Sequence, residues 1–333
     1  MKVALICTTL DVPEVLSVYR RLAPMLRIFC AADVNTIPDA YDFVAKLGNA
    51  EMLDPEQYPE TPYAPIRSIQ RRNVALLEAI RWGADIILSV DTDDYPMTPS
   101  HIYQIKKAFN VPFTGCELRS DAWFDPGHLT DPPISHRGMP HRLDRFYAHP
   151  TVDRKVGVVA STVLGSCDIS AVDRITNAPK RQNATDLARA GVIVDPARQW
   201  TLLNSEAIAF TRELAPAAMV WPGVGRYDDL FASMLMQRVM RETGHVIHYG
   251  NPLVYHERAD RDYRVDLAAE MWGMNYCEAV AHFLDGVGWL GQESVLTMTR
   301  RIWNDAPDQL WMPYAATVTA GLAWCDAVEE AMK

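Results

Sequence analysis

The sequence predicts an α/β protein, with a mixed, mainly parallel sheet flanked by helices and a helical C-terminal region. Two observations carry this. The first ninety residues alternate strand-like and helix-like segments, the pattern of a parallel sheet covered by helices. From Val265 onward the apolar spacing is helical almost throughout, interrupted only at Pro307 and Pro313. At 333 residues and 49% apolar composition the chain can bury a large core, and it divides most economically into an α/β body over 1–264 and a helical region over 265–333 packed on it.

Taken in order, Lys2 to Thr8 is a short apolar run that reads as a first strand rather than a secretory segment. Val12 to Leu22 has helical spacing, with Pro13 near its start where the missing N–H costs little. Arg27 to Ala32 is a second strand ending at Asp33, and Ile66 to Trp82 is the clearest helix, with Gly83 placed to cap it. Ile86 to Val90 is a doubly buried strand that runs straight into Asp91-Thr92-Asp93-Asp94. Ser120 to His149 is rich in Pro, Gly, Asp, His and Arg without periodicity and reads as long loops. Strands return at Val156 to Val163, Gly191 to Val194 and Val246 to Tyr249, with a short strand or turn at Glu206 to Phe210 and a helix over Tyr227 to Thr243.

A net charge of −10 argues against a nucleic-acid partner or an anionic membrane surface, both of which need clustered Lys and Arg. No stretch is long and apolar enough to cross a bilayer. Six scattered cysteines without a C-x-x-C pair fit reduced, buried thiols in a cytoplasmic protein. Oligomerisation with further copies stays open.

Four clusters carry possible chemistry. In open α/β sheets ligands bind beyond the carboxyl ends of the strands, so Asp91, Asp93 and Asp94 point into a crevice. Crowded carboxylates stay ionised together most easily around a cation, and hard oxygen ligands favour Mn²⁺ or Mg²⁺, which would bridge the phosphates of a nucleotide. An acidic turn after a strand is the plainer alternative. Gly223 to Asp229 opens the helix beginning near Leu230. Asp228 and Asp229 there are either helix-start carboxylates or groups that hold sugar hydroxyls and take a proton. His256 ends a strand-like segment beside Arg258, Arg261 and Arg264, where an imidazole can serve as a third cation ligand and arginines suit diphosphate, or where the histidine is simply structural. The last cluster is basic: Arg67, Arg71 and Arg72, read as partly a solvated face, and the loop His136-Arg137-Gly138-Met139-Pro140-His141-Arg142, read as an anion site.

In this order the residues resemble the reversibly glycosylated polypeptides, the UDP-arabinopyranose mutases, whose fold is of glycosyltransferase-A type. The acidic triplet is matched by Asp91, Asp93 and Asp94 with Thr92 inserted, the Arg-Gly-aromatic-Pro loop by Arg137 to Pro140, and the Gly-Arg-Tyr-Asp-Asp motif by Gly225 to Asp229. His256 matches the end of a Tyr-x-x-His segment, and Trp324 lies in a Trp-containing final helix like the family's. Gln70-Arg71-Arg72-Asn73 together with Asp91 to Asp94 also resembles the STELLO-type glycosyltransferases.

The resemblance implies a UDP-sugar substrate and a divalent metal at the acidic cluster, with Asp93, Asp94 and His256 as ligands. The nucleotide-sugar would be bound by Thr8, Thr9, Leu10, Asp33, Arg67, Arg71, Asp91, Arg226 and Arg258. Arg137 stands where the mutases become glycosylated, but the second arginine they need is Asp144 here, which counts against mutase activity. Three functions follow: a transferase passing the sugar to a small-molecule acceptor with Asp228 or Asp229 as base, a nucleotide-sugar mutase, or a non-catalytic nucleotide-sugar binder.

Overall fold

The structure is a computed structural model that describes residues 1–140, 145–176, 182–257, 262–306 and 315–333. The elements are β1 (Val3–Thr9), α1 (Val15–Leu22), β2 (Arg27–Ala32), α2 (Pro38–Lys46), β3 (Ala50–Leu53), α3 (Arg72–Arg81), β4 (Ile86–Ser89), β5 (Asp94–Pro96), α4 (His101–Asn110), β6 (Phe113–Ser120), β7 (Thr130–Asp131) and β8 (Phe146–Arg154). They continue with β9 (Val156–Gly165), α5 (Ala171–Thr176), β10 (Asn183–Ala184), α6 (Asp186–Ala190), β11 (Val192–Val194), β12 (Ile208–Thr211), α7 (Asp228–Thr243), β13 (Val246–His256), α8 (Tyr263–Gly286), α9 (Val295–Asn304) and α10 (Ala315–Ala331).

The expected mixed sheet is present, eleven-stranded, in the order β3-β2-β1-β4-β12-β9-β13-β11-β6-β8, with β5 added to β13. Its first half, β3-β2-β1-β4, is parallel. In the second half β12 runs antiparallel between β4 and β9. Successive residues of a strand face opposite sides. Thus Ala4 and Ile6 join a large core on one face, with α3, α7 and the C-terminal helices, while Val3, Leu5 and Cys7 join a smaller core on the other, with α1 and α4. Trp221, Trp303 and Trp324 lie fully buried in the large core, which therefore runs without a break into the C-terminal helices. Helix α8 spans the 264/265 position.

Several expectations need correction. The helix expected from Val12 starts only at Val15, because residues 12–14 form a turn in which Pro13 and Glu14 carbonyls accept from Leu16 and Ser17. The helix expected over Ile66 to Trp82 starts at a 3₁₀ turn, Ile69–Arg71, and becomes α-helical at Arg72. Its end is as expected: Gly83 has φ +76°, Ala84 N–H donates to Ala79 and Gly83 N–H to Ile80, a Schellman arrangement. The segment 120–149 is not loop throughout, since β8 begins at Phe146 and pairs antiparallel with β6. Its polar, Pro150-containing sequence suits a strand at the sheet edge, where most side chains are exposed and a missing N–H is tolerated. Strand β13 runs past Tyr249 to His256 through an irregularity between Gly250 and Val254. All six cysteines are free, and all but Cys116 are buried. Among the described residues no helix is long and apolar enough to cross a membrane.

Candidate functional site

The parallel strands deliver the predicted residues to one edge. Register pairs Thr9 with Ala32 and Ile6 with Ser89, so Thr8 and Thr9 at the end of β1, and Leu10, Asp33 and Asp91 to Asp94 beyond strand ends, all lie at the carboxyl ends of neighbouring strands. Thr9 is buried and its carbonyl accepts from Thr36 Oγ1 at 2.7 Å, while Leu10 is exposed. The Asp33 carboxylate is committed to backbone, accepting from Arg67 N–H at 2.8 Å and Ser68 N–H at 2.9 Å. The Arg67 side chain itself is exposed.

Arg71 and Arg72 are not a solvated face. Both are buried, at 0% and 2% exposure. Arg71 Nε donates to Ala32 O at 3.2 Å, and its two terminal nitrogens have no hydrogen-bond partner. Arg72 donates to the Asp91 carboxylate and, at 3.1 Å, to the Ser205 carbonyl.

The acidic turn is closed by Asp91 N–H donating to Asp94 Oδ2 at 2.8 Å. Strand β5 then pairs antiparallel with β13 so that Asp94 stands opposite His256. His256 Nδ1 lies 2.7 Å from Asp94 Oδ1, and Nε2 lies 3.3 Å from Asp93 Oδ2. Asp94 and His256 are buried, Asp93 is half-exposed, and one donor atom from each lies within 4.8 Å of the others. Burial pushes the Asp94 carboxyl up to about 6, with the His256 hydrogen bond acting against it. This set of two carboxylates and an imidazole fits Mn²⁺ or Mg²⁺ in its donor chemistry, with room for other ligands on the exposed side of Asp93.

No family model matches the sequence and no curated protein is similar to it. Solved structures are. Over 99% of its length the chain is similar to the mannosyltransferase PcManGT from Pyrobaculum calidifontis in complex with GDP-Man and Mn²⁺, at 14% identity and a TM-score of 0.44, covering 86% of that chain. It is also similar to S. aureus TarS 1-349, at 12% identity and a TM-score of 0.39, over 100% of this chain and 90% of that one. A third similarity is to a putative glucose-1-phosphate thymidylyltransferase from Bacillus anthracis in complex with a sucrose, at 10% identity and a TM-score of 0.31, over 87% and 97%.

The second acidic pair opens α7. Asp229 Oδ2 accepts from Ser205 N–H at 2.9 Å, and Arg137 Nη2 donates to both Asp229 oxygens at 3.0 Å. Arg137 Nε donates to Asp168 at 2.7 Å and 2.9 Å, and Nη1 to the Arg226 carbonyl. Burial works against the charge on Arg137, but Asp168 and Asp229 outweigh it and hold its pKa well above the usual value. The loop can come this close because Gly138, at φ +86°, has no Cβ. One would lie 2.3 Å from Leu230 Cδ1. Asp228 is half-buried, and burial followed by the neighbouring Asp229 charge pushes its carboxyl up to about 7.

The two acidic motifs are thus one network, from Asp91 through Arg72 and Ser205 to Asp229. Arg226 pairs with Glu270 at 3.1 Å and Asp266 at 3.4 Å on α8, and its Nη2 lies 4.0 Å from Asp168 Oδ1. Arg258, His141, Arg142 and Asp144 lie outside the described residues. Asp168, Ser205 and Glu270 were not singled out for the site from the sequence: each is a lone polar residue without local motif, and only long-range packing brings it in. Gln70 belongs to the Gln70-Arg71-Arg72-Asn73 motif but was given no role in the site.

Proposed function

We propose that the protein is a divalent-cation-dependent glycosyltransferase that takes a UDP-sugar and passes its sugar to the hydroxyl of a small acceptor. The observation that carries this is the hydrogen-bonded chain that leads from the Asp93, Asp94 and His256 cluster through Asp91, Arg72 and Ser205 to Asp229, the neighbour of Asp228. Asp93, Asp94 and His256 would hold Mn²⁺ or Mg²⁺, which when bound neutralises the diphosphate as it leaves. Thr8, Thr9, Leu10 and Asp33 would frame the base and ribose, with Arg67 nearby. Arg71 supports that placement, because buried donors without partners are rare unless a ligand or water completes them. Asp91 would hold Arg72 towards the diphosphate.

Asp228 would accept the proton of the acceptor hydroxyl, since it keeps some exposure and burial raises its carboxyl to about 7, close to where a general base works best. Arg137 and Asp229 would then act as support, the arginine holding Asp229 and Asp229 holding Ser205. What favours transfer over the mutase reading is that Arg137 is buried and each nitrogen of its guanidinium already donates to an acceptor, so it would have to leave these partners to receive a sugar. Incubation with UDP-sugars and Mn²⁺, followed by chromatography, tests this. Free UDP with no isomerised UDP-sugar, and no sugar adduct by intact-protein mass spectrometry, is expected. An isomerised product, or an adduct lost in Arg137→Ala, would reverse the assignment.

A further inference from the structure

The tetrad Gln70-Arg71-Arg72-Asn73 divides its side chains among different parts of the site. Arg71 reaches the end of β2, Arg72 reaches Asp91, and Asn73 Nδ2 donates to the Tyr63 and Val220 carbonyls. Gln70 has the remaining direction. It is 8% exposed, and its Nε2 donates to Asp228 Oδ2 at 2.8 Å and to the Trp221 carbonyl at 3.3 Å, across 158 residues of sequence for the first contact. A carbonyl and a carboxylate only accept, so the amide nitrogen and not its oxygen must face them. Asp228 Oδ1 accepts from Asp229 N–H at 2.9 Å, so one N–H fixes each carboxylate oxygen and leaves each a further lone pair.

We propose that Gln70 is a positioning residue for Asp228, fixing the plane of its carboxylate and favouring its ionised form so that a lone pair stays available to an acceptor hydroxyl. The other charges facing Asp228 are Asp229, Arg137 and Arg72. Arg137 is engaged by Asp168 and Asp229, and Arg72 by Asp91. Gln70 makes the one side-chain hydrogen bond to Asp228 among the described residues. A donor to a charged acceptor stabilises the charge, so its removal raises the carboxyl pKa. The catalytic meaning rests on the glycosyl-transfer reading, whereas the orientation and titration of Asp228 do not.

The test is a carboxyl ¹³C NMR titration of Asp228, its resonance assigned with Asp228→Asn, in wild type, Gln70→Leu and Gln70→Glu. Gln70→Leu should move the midpoint upward by about one to two pH units. Gln70→Glu, which sets a second carboxylate there, should move it upward as well. The acidic limb of UDP release from UDP-glucose with Mn²⁺ should move with it. An unmoved Asp228 midpoint in both folded variants overturns the positioning role. If the midpoint moves but Asp228→Asn releases UDP at the wild-type rate, the base assignment fails and the catalytic meaning goes with it.

Discussion

The two acidic motifs use the same residue type and end with opposite charge balance. At the end of the β4 strand, Asp93 and Asp94 face His256, a side chain that brings no fixed positive charge. At the start of α7, Asp229 faces Arg137, a permanent cation shared with Asp168 and shielded from water. Close carboxylates need a counter-charge. The α7 pair has Arg137 within the fold, while among the described residues Asp93 and Asp94 pair with His256 and with no Lys or Arg, so a cation from solution would complete them. Both motifs set adjacent aspartates together, Asp93-Asp94 and Asp228-Asp229, so the difference between the pairs comes from what distant segments place opposite them.

The largest expected effect separates them by metal. Asp94→Ala should abolish Mn²⁺-dependent UDP binding by calorimetry and reduce turnover by at least about a hundredfold. Asp228→Asn should cut turnover by roughly 10²- to 10⁴-fold while leaving Mn²⁺-UDP affinity within about threefold, since it removes a base and no ligand. Arg137→Ala leaves Asp168 and Asp229 buried without their cation and should cost about 3–5 kcal/mol in urea unfolding. A smaller effect is in pH. Because the folded Asp228 carboxyl is raised from 3.8 to about 7, the folded state holds a proton that the unfolded state has lost between those values. Stability therefore falls as pH rises through that window. Asp228→Asn should raise the melting temperature at pH 8 and leave it unchanged at pH 4. The smallest effect belongs to Arg67→Ala, expected to change stability by less than about 0.5 kcal/mol, because its backbone N–H and not its exposed side chain serves Asp33.

Much of this was legible in the sequence, and the limits have physical causes. Strand ends followed by Asp33 and by Asp91 to Asp94 mark the edge of the sheet, since period and charge change within a few residues. His256 was readable as a ligand candidate, but its pairing with Asp94 depends on β5 and β13 meeting in register, which no local pattern records. Arg71 and Arg72 misled because arginines on a helix usually face water, whereas α3 is buried on nearly every side between the sheet and the C-terminal helices. Strand β8 was hidden because an exposed edge strand has no apolar alternation to reveal it. Asp168 had no signal at all, being a single residue whose partner lies 31 positions away, and Gln70, though part of a recognisable motif, gave no sign of a partner 158 positions away.

The central claim, that Asp93 and Asp94 take a cation from solution whereas Asp229 has Arg137 within the fold, is tested most directly by Mn²⁺ calorimetry in the presence of UDP. The wild type should bind one Mn²⁺ per chain. Asp93→Ala, Asp94→Ala and His256→Ala should each lose it, and Asp228→Asn should retain it. Retention of Mn²⁺ in the first three variants, or its loss in Asp228→Asn, would contradict the account.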